Sequence, residues 1–268
     1  MTDRSSPSSK IDTSRPHSAR MWNYWLGGKD YYPIDKRVGD EILETFPAIR
    51  EVARQSRACL GRMIRYLAAE EGIRQFLDIG TGLPTVGNTH EVAQRVAPTS
   101  KIVYVDNDPL VLVHAAALLT STPEGACGYI DCDVRDPDRI LEKAAGILDF
   151  TEPIGLIMFG ILGNVIDDDE ATVIVRRLVG ALPPGSFLAL NDGTGELDRA
   201  GREEAIRIAV EQGSMPYVAR NPDQIAGFFD GLDVLEPGVV TTSQWRWESN
   251  PFGEPAQVDS TCGLARKP

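Results

Sequence analysis

The amino-acid sequence predicts an α/β protein: a mostly parallel sheet with helices on both faces, three layers in all. Three observations carry this expectation. From residue 76 onward, short apolar runs bounded by turn residues alternate with stretches of helical periodicity. The first runs end on acids, at Asp78, at Asp106 and, just past Cys132, at Asp133. The segment Phe76–Thr85 (FLDIGTGLPT) reads as a buried strand breaking into a glycine-rich turn that leads into a helix, the first half of a nucleotide-binding βαβ unit.

That turn is the centre of the chain's organisation. Gly80 and Gly82 supply backbone freedom and let a ligand lie against the main chain. Beyond Thr85 the pattern turns helical: Val86, His90, Val92, Ala93 and Val96 recur at near-helical spacing until Ala97-Pro98. A Gly-x-Gly turn is also compatible with an ordinary strand-to-helix connection. Two details narrow it. The dinucleotide fingerprint places a third glycine where this chain has Thr85, preceded by Pro84. Asp78 stands at the strand end, facing the loop's ligand; a carboxylate is ill-suited to a pyrophosphate and suited to an amino group or a sulfonium. The balance moves from NAD towards S-adenosyl-L-methionine.

Composition sets the outer bounds. The 268 residues (29.3 kDa) suffice for one sizeable α/β domain, or one domain with an extension. A formal net charge of −12 and a pI near 4.8 offer no basic field to attract nucleic acid. Cys59, Cys127, Cys132 and Cys262 form no Cys-x-x-Cys pair and have no histidines at ligand spacing, so they read as reduced thiols. No apolar run approaches the twenty or so residues of a membrane span, and no signal peptide is visible. A cytoplasmic protein that does not enter membranes is expected, open to self-association as a homo-oligomer.

In chain order, residues 1–10 are polar and expected to be disordered. Residues 11–70 form an N-terminal helical cap, and residues 71–268 the α/β domain. Within the cap, Arg20–Leu26 (RMWNYWL) is a short aromatic helix stopped by Gly27-Gly28. Helices follow at 34–46 and 48–70, the second with Ile49, Val52, Ala53, Leu60, Ile64 and Leu67 on one face. Trp22, Tyr24, Trp25, Tyr31 and Tyr32 either pack this layer or close a lid over Gly80 and Gly82, and the two roles are compatible.

The second strand, 101–106, ends on Asp106, the position from which an acid accepts hydrogen bonds from ribose hydroxyls. Asn107 follows it as a further cofactor-binding candidate, while Asp108 is expected to cap the helix 110–119. The third strand, 128–132, leads to Asp133, placed to accept the adenine amino group, and Asp136 caps the next helix. The fourth strand, 154–159, opens into Gly160–Gly163, whose small residues leave space in the pocket. The acids Asp167–Glu170 suit a helix N-terminus, and no metal site is assigned to them. A fifth strand spans 186–190, helices follow at about 197–211 and 221–229, a sixth strand covers 231–235 with Val239 and Val240, and a last strand spans 260–266 beyond a loop holding Trp245, Trp247 and Phe252. His90 lacks the second histidine of a His-Glu-x-x-His zinc site, and no Gly-x-Ser-x-Gly elbow or P-loop occurs.

Asp78-Ile-Gly-Thr-Gly82, Asp106 and Asp133 resemble the successive motifs of class I S-adenosylmethionine-dependent methyltransferases. More narrowly, Ala19–Asp30 (ARMWNYWLGGKD) with Asp78–Thr85 (DIGTGLPT) resembles the actinobacterial S-adenosyl methyltransferase family (DUF574) over nearly the whole chain. The resemblance implies a Rossmann-like, seven-stranded sheet with its last strand antiparallel, and cofactor across the carboxyl ends of the strands. It also implies that Asp78, Gly80, Thr81 and Gly82 line the methionine portion, that Asp106 binds ribose, and that Asp133 and Val134 edge the adenine. The aromatic helices then cap the pocket with Arg20, Tyr24 and Gly28 near the cofactor.

The expected activity is methyl transfer from S-adenosyl-L-methionine to a small-molecule acceptor, by in-line displacement at the sulfonium. Tyr31, Tyr32 and Asp192 are candidates for the acceptor side, and no residue is singled out as catalytic. The competing readings are a non-catalytic S-adenosylmethionine-binding regulatory protein and, less favoured, an NAD-dependent oxidoreductase.

Overall fold

The computed structural model describes residues 12–118, 121–248 and 253–268. The polar tail at 1–10, the expected helix end at Leu119 and Phe252 lie outside the described residues. Among the described residues eight strands form one sheet: β1 (Gln75–Ile79), β2 (Lys101–Asp106), β3 (Ala126–Asp131), β4 (Gly155–Phe159), β5 (Phe187–Gly193), β6 (Asp233–Val234), β7 (Val240–Thr241) and β8 (Ser260–Arg266). Their order is β3-β2-β1-β4-β5-β8-β6. β3 through β5 run parallel, and β8 enters antiparallel beside β5. β6 and β7 pair with successive stretches of β8, at Ala265–Arg266 and at Thr261–Cys262. Eight segments thus fill seven positions, and the last strand in sequence is the antiparallel one. The sixth strand expected over 231–235 with Val239 and Val240 is two short pieces because Pro237 has no N–H to donate and Leu235–Gly238 closes into a turn, with Gly238 N donating to the Leu235 carbonyl at 2.8 Å.

Nine helices are described: α1 (Ser18–Trp25), α2 (Pro33–Thr45), α3 (Ile49–Ala69), α4 (Thr89–Val96), α5 (Pro109–Leu118), α6 (Pro137–Ala144), α7 (Asp168–Ala181), α8 (Arg199–Glu211) and α9 (Pro222–Gly227). Strand parity sorts them onto two faces. Phe76, Ile102, Tyr104, Ile157, Phe187, Ala189 and Leu264 meet α3 and α4 on one face. Their alternates Leu77, Val103, Leu156, Met158, Leu188 and Leu190 meet α6, α7 and α9 on the other. The periodic stripe of α3 buries Leu60, Met63, Ile64 and Leu67 against the sheet, each contributing on the order of 1.5–3 kcal/mol. α1 and α2 pack instead on the start of α3 and on α8, through Met21, Trp25, Val38, Ile42 and Phe46.

Of the boundaries that differ from expectation, two shape the site. α4 begins at Thr89 rather than at Val86, because Gly87 adopts φ +77° and Val86 projects into solvent, 93% exposed. β5 continues past Leu190 to Gly193, because β8 pairs with it along its whole length.

Candidate ligand-binding cleft

The strand order reverses between β1 and β4, and a cleft opens there at the carboxyl ends of the strands, where open α/β sheets take their ligands. Ala19, Trp22, Asn23 and Leu26 of the α1 region roof it. Its floor is the turn after β1. Gly80 has φ +74° and donates its N–H to the Val105 carbonyl at 2.8 Å; a Cβ there would come within 2.7 Å of the Ile161 side chain. Gly82 has φ +64° and donates to Asp106 Oδ2 at 2.9 Å, and a Cβ there would meet nothing nearer than Ala19 at 3.9 Å. The first glycine is therefore demanded by packing and by backbone angle, and the second leaves open room beneath the roof.

Three acids face the cleft. Asp106 accepts one backbone N–H at each oxygen, from Gly82 and from Asp108, so its carboxylate is fixed in orientation while lone pairs remain for a ligand. Burial raises its pKa. Asp133 accepts from Asn107 Nδ2 at 2.9 Å and from the Arg135 backbone at 2.9 Å, with Val134 buried beside it. Asp78, only 4% exposed, accepts the Thr89 hydroxyl at 2.5 Å. Burial pushes its pKa up to about 6, against the opposing pull of Thr89 and of nearby Arg57.

Asp78, Gly80, Thr81, Gly82, Asp106, Asn107, Asp133 and Val134 all line this one cleft. Arg20, Tyr24 and Gly28 do not; they lie one layer behind it. Positions 19, 22, 23 and 26 of α1 turn towards the cleft, so positions 20 and 24 point the other way. Arg20 is buried between Asp35 (3.6 Å) and Asp108 (4.0 Å) and donates to the carbonyls of Asp12 and Arg15. The Tyr24 hydroxyl bonds Asp40 on α2. Gly28 packs on Asn23, where a Cβ would stand 2.3 Å from the amide oxygen. Tyr31 meets Tyr24 edge-on, Tyr32 lies under Arg20, and Asp192 is buried with the Tyr217 hydroxyl, so none of the three lines the cleft.

Other lining residues had no signal in the sequence. Ser56 and Arg57 come from α3, and Asn191 from the extension of β5. Asn191 donates to Ser260 Oγ and to the Thr261 carbonyl, which holds its side chain in place at the cleft wall. Thr85 Oγ1 and Asn164 Oδ1, also in lining residues, are buried without a hydrogen-bond partner. Buried polar atoms of this kind are ordinarily satisfied, and a polar ligand in the cleft would satisfy them. Elsewhere the acids have structural partners. Asp108, Asp136 and Asp167 cap α5, α6 and α7. Asp168 holds Arg220 and Gln224. His90 is buried against the Tyr104 hydroxyl at 2.8 Å. Among the described residues no group of three or more metal-binding side chains occurs, and no helix is long and apolar enough to cross a membrane.

The family model for S-adenosyl methyltransferases matches residues 4–268. A DUF574 family protein from Streptomyces avermitilis MA-4680 is 42% identical, with a TM-score of 0.91 over 97% of this chain and 100% of that one. A candidate methyltransferase from Thermobifida fusca YX is 37% identical, with a TM-score of 0.85 over 96% of each chain. A SAM-dependent methyltransferase from Anabaena variabilis ATCC 29413 shares the fold at 15% identity, with a TM-score of 0.53 over 99% of this chain and all of that one. None of the curated proteins matches. The glycine turn, the acids on successive strand ends and the orphaned polar atoms suit a polar, positively charged nucleoside ligand, and with these matches the chain belongs to the S-adenosyl methyltransferase family, whose cofactor is S-adenosylmethionine.

Proposed function

We propose that the chain transfers a methyl group from S-adenosylmethionine to a small-molecule acceptor bound beneath α1. Asp106 accepts the ribose hydroxyls, Asp133 the adenine amino group with Asn107 and Val134 at the ring edges, and Asp78 with Gly80, Thr81 and Gly82 holds the methionine end. Arg20, Tyr24 and Gly28 act from behind, fixing the roof helix through Asp35, Asp40 and Asn23. The cofactor supplies a methyl group on a positively charged sulfur. The protein's share is then to align the acceptor and exclude water, which suits a cleft roofed by Trp22 and Leu26 and walled by Asn191.

The observation that carries this reading is the locked pair of Gly82 N–H and Asp106, which presents a fixed carboxylate beside an open stretch of main chain. The net charge of −12 favours a small acceptor over a nucleic acid. Four free cysteines, with the Cys59 and Cys262 thiols hydrogen-bonded at 3.5 Å and not joined in a disulfide, support a reducing, cytoplasmic setting.

Calorimetric titration with S-adenosylmethionine, S-adenosylhomocysteine and NAD tests it. Both adenosyl ligands are expected to bind, NAD is not, and Asp106→Ala should weaken adenosyl binding at least about tenfold, since a bond to a charged acceptor is lost. Binding of NAD alone, or of no ligand, would overturn the assignment. Acceptor-dependent release of S-adenosylhomocysteine then identifies the substrate.

A further inference from the structure

Three basic side chains line the cleft: His17, Arg57 and Arg135. His17 Nδ1 stands 3.1 Å from Asp108, and Arg135 is 3.3 Å from Asp133. Arg57 differs: among the described residues no carboxylate lies within 4.0 Å of its guanidinium. Its partners are neutral, Asn88 Oδ1 at 2.9 Å and the Val86 carbonyl at 3.4 Å. A guanidinium offers five N–H donors, so most remain unused. On the same face of the sheet, Asp78 has a single hydroxyl partner from Thr89. One cleft thus holds a half-buried cation and a buried anion, neither of which has found its counter-charge at contact distance. Burial works against both charges, lowering the pKa of Arg57 and raising that of Asp78.

We propose that Arg57 binds the carboxylate of the ligand's amino-acid end, and that Arg57 and Asp78 together make the cleft selective for a zwitterion. This rests on the cofactor reading above and deepens it. A free α-amino-acid group carries its ammonium and carboxylate on one carbon, so one ligand supplies both missing counter-charges. The planar guanidinium suits a carboxylate in two-point contact. Thr85, whose buried hydroxyl lacks a partner, lies in the loop that Arg57 already touches through Val86 and Asn88, and it adds a further donor there. Arg57 belongs to α3, so the helical segment ahead of β1 joins directly in ligand recognition. The competing role is purely structural: Arg57 steadies Asp78 and the 85–88 loop without touching the ligand.

Calorimetry on the wild type, Arg57→Gln and Arg57→Lys separates the two. The ligands are S-adenosylhomocysteine and its decarboxylated analogue, which keeps the amine and lacks only the carboxylate. The wild type should prefer S-adenosylhomocysteine by roughly 10- to 100-fold, the range of a charge-assisted bond. Arg57→Gln should abolish that preference by losing affinity for S-adenosylhomocysteine alone, and Arg57→Lys should retain part of it. Equal weakening of both ligands in Arg57→Gln, or no preference in the wild type, would overturn the proposal. Failure of the wild type to bind S-adenosylhomocysteine at all would overturn the cofactor reading and this inference with it. Melting curves establish that each variant is folded, and the lysine variant carries the test should the glutamine variant be unfolded: a preference undiminished in Arg57→Lys counts against a direct contact.

Discussion

Asp78 sits at the carboxyl end of a central strand with one hydroxyl partner and a pKa raised to about 6 by burial. Between an ordinary carboxylate value of 3.8 and about 6 the folded protein holds a proton that the unfolded chain has released. Asp78 therefore favours folding at low pH, and that contribution is lost as the pH rises through about 6. At pH 7 without ligand, Asp78→Asn is expected to raise the melting temperature by roughly 2–8 °C, with the gain shrinking towards pH 5. The same variant should bind S-adenosylhomocysteine less tightly at pH 7, because the ammonium loses its counter-charge. Wild-type affinity should fall as the pH drops through about 6, and Asp78→Asn should be flatter across that window, which calorimetry at stepped pH measures. Gly80 makes the opposite kind of demand. Its φ of +74° and the 2.7 Å approach to Ile161 leave no room for a side chain. Gly80→Ala should cost about 1–3 kcal/mol in denaturant unfolding without a change in the slope of the transition.

At the scale of elements, α3 and β8 make the site possible without supplying its recognisable motifs. The apolar stripe of α3 fixes its register on the sheet, and that register delivers Ser56 and Arg57 to the cleft. β8 holds β5 extended as far as Gly193, and the alternation of β5 then turns Asn191 to the α3 face and its successor away. Trp245 locks this arrangement from outside: fully buried, it meets the ring of Tyr66 edge-on, and its carbonyl accepts from Arg62 at 2.9 Å. Trp245→Ala should cost about 3–5 kcal/mol, seen as a lowered melting temperature. The two-residue strands β6 and β7 give the sheet a short, interrupted edge. Hydrogen exchange should find the amides of β6 and β7 far less protected than those of β1 and β4, which lie between other strands.

For the molecule as a whole, the two core faces of the sheet and the α1–α2–α8 cluster form three packed layers and a flank, and the cleft lies where the sheet meets that flank. We take α1 and α2 as the cap, while α3, expected to belong to it, packs on the sheet; Arg20 beside Asp35 ties α1 to α2, and His17 and Arg20 beside Asp108 tie α1 to the sheet side. A ligand enclosed between cap and sheet binds the folded state only. S-adenosylhomocysteine at about a hundredfold above its dissociation constant should therefore stabilise the protein by about 2.7 kcal/mol, read as a rise in melting temperature. With a net charge of −12, the chain should leave the anisotropy of a labelled oligonucleotide unchanged even at low salt.

The amino-acid sequence by itself determined the strand–helix alternation, the mostly parallel sheet, through the family resemblance its antiparallel last strand, and the residues of the cleft that lie next to one another along the chain. Asp78, Gly80, Gly82, Asp106 and Asp133 were legible because each stands at the end of a strand or in the turn that follows, so that local pattern alone places it at the carboxyl edge. Only the tertiary structure decided which face of α1 meets the cleft, and hence that Trp22 and Asn23 line it while Arg20 and Tyr24 stand behind. It also decided that β5 reaches Asn191 and that α4 waits until Thr89. Ser56, Arg57 and Asn191 are brought together by packing between segments far apart in sequence, through Ser56 beside Ser260 and Ser260 beside Asn191. Periodicity reports which side of an element is apolar; which neighbour that side meets is settled by the register of helices and strands across the whole core.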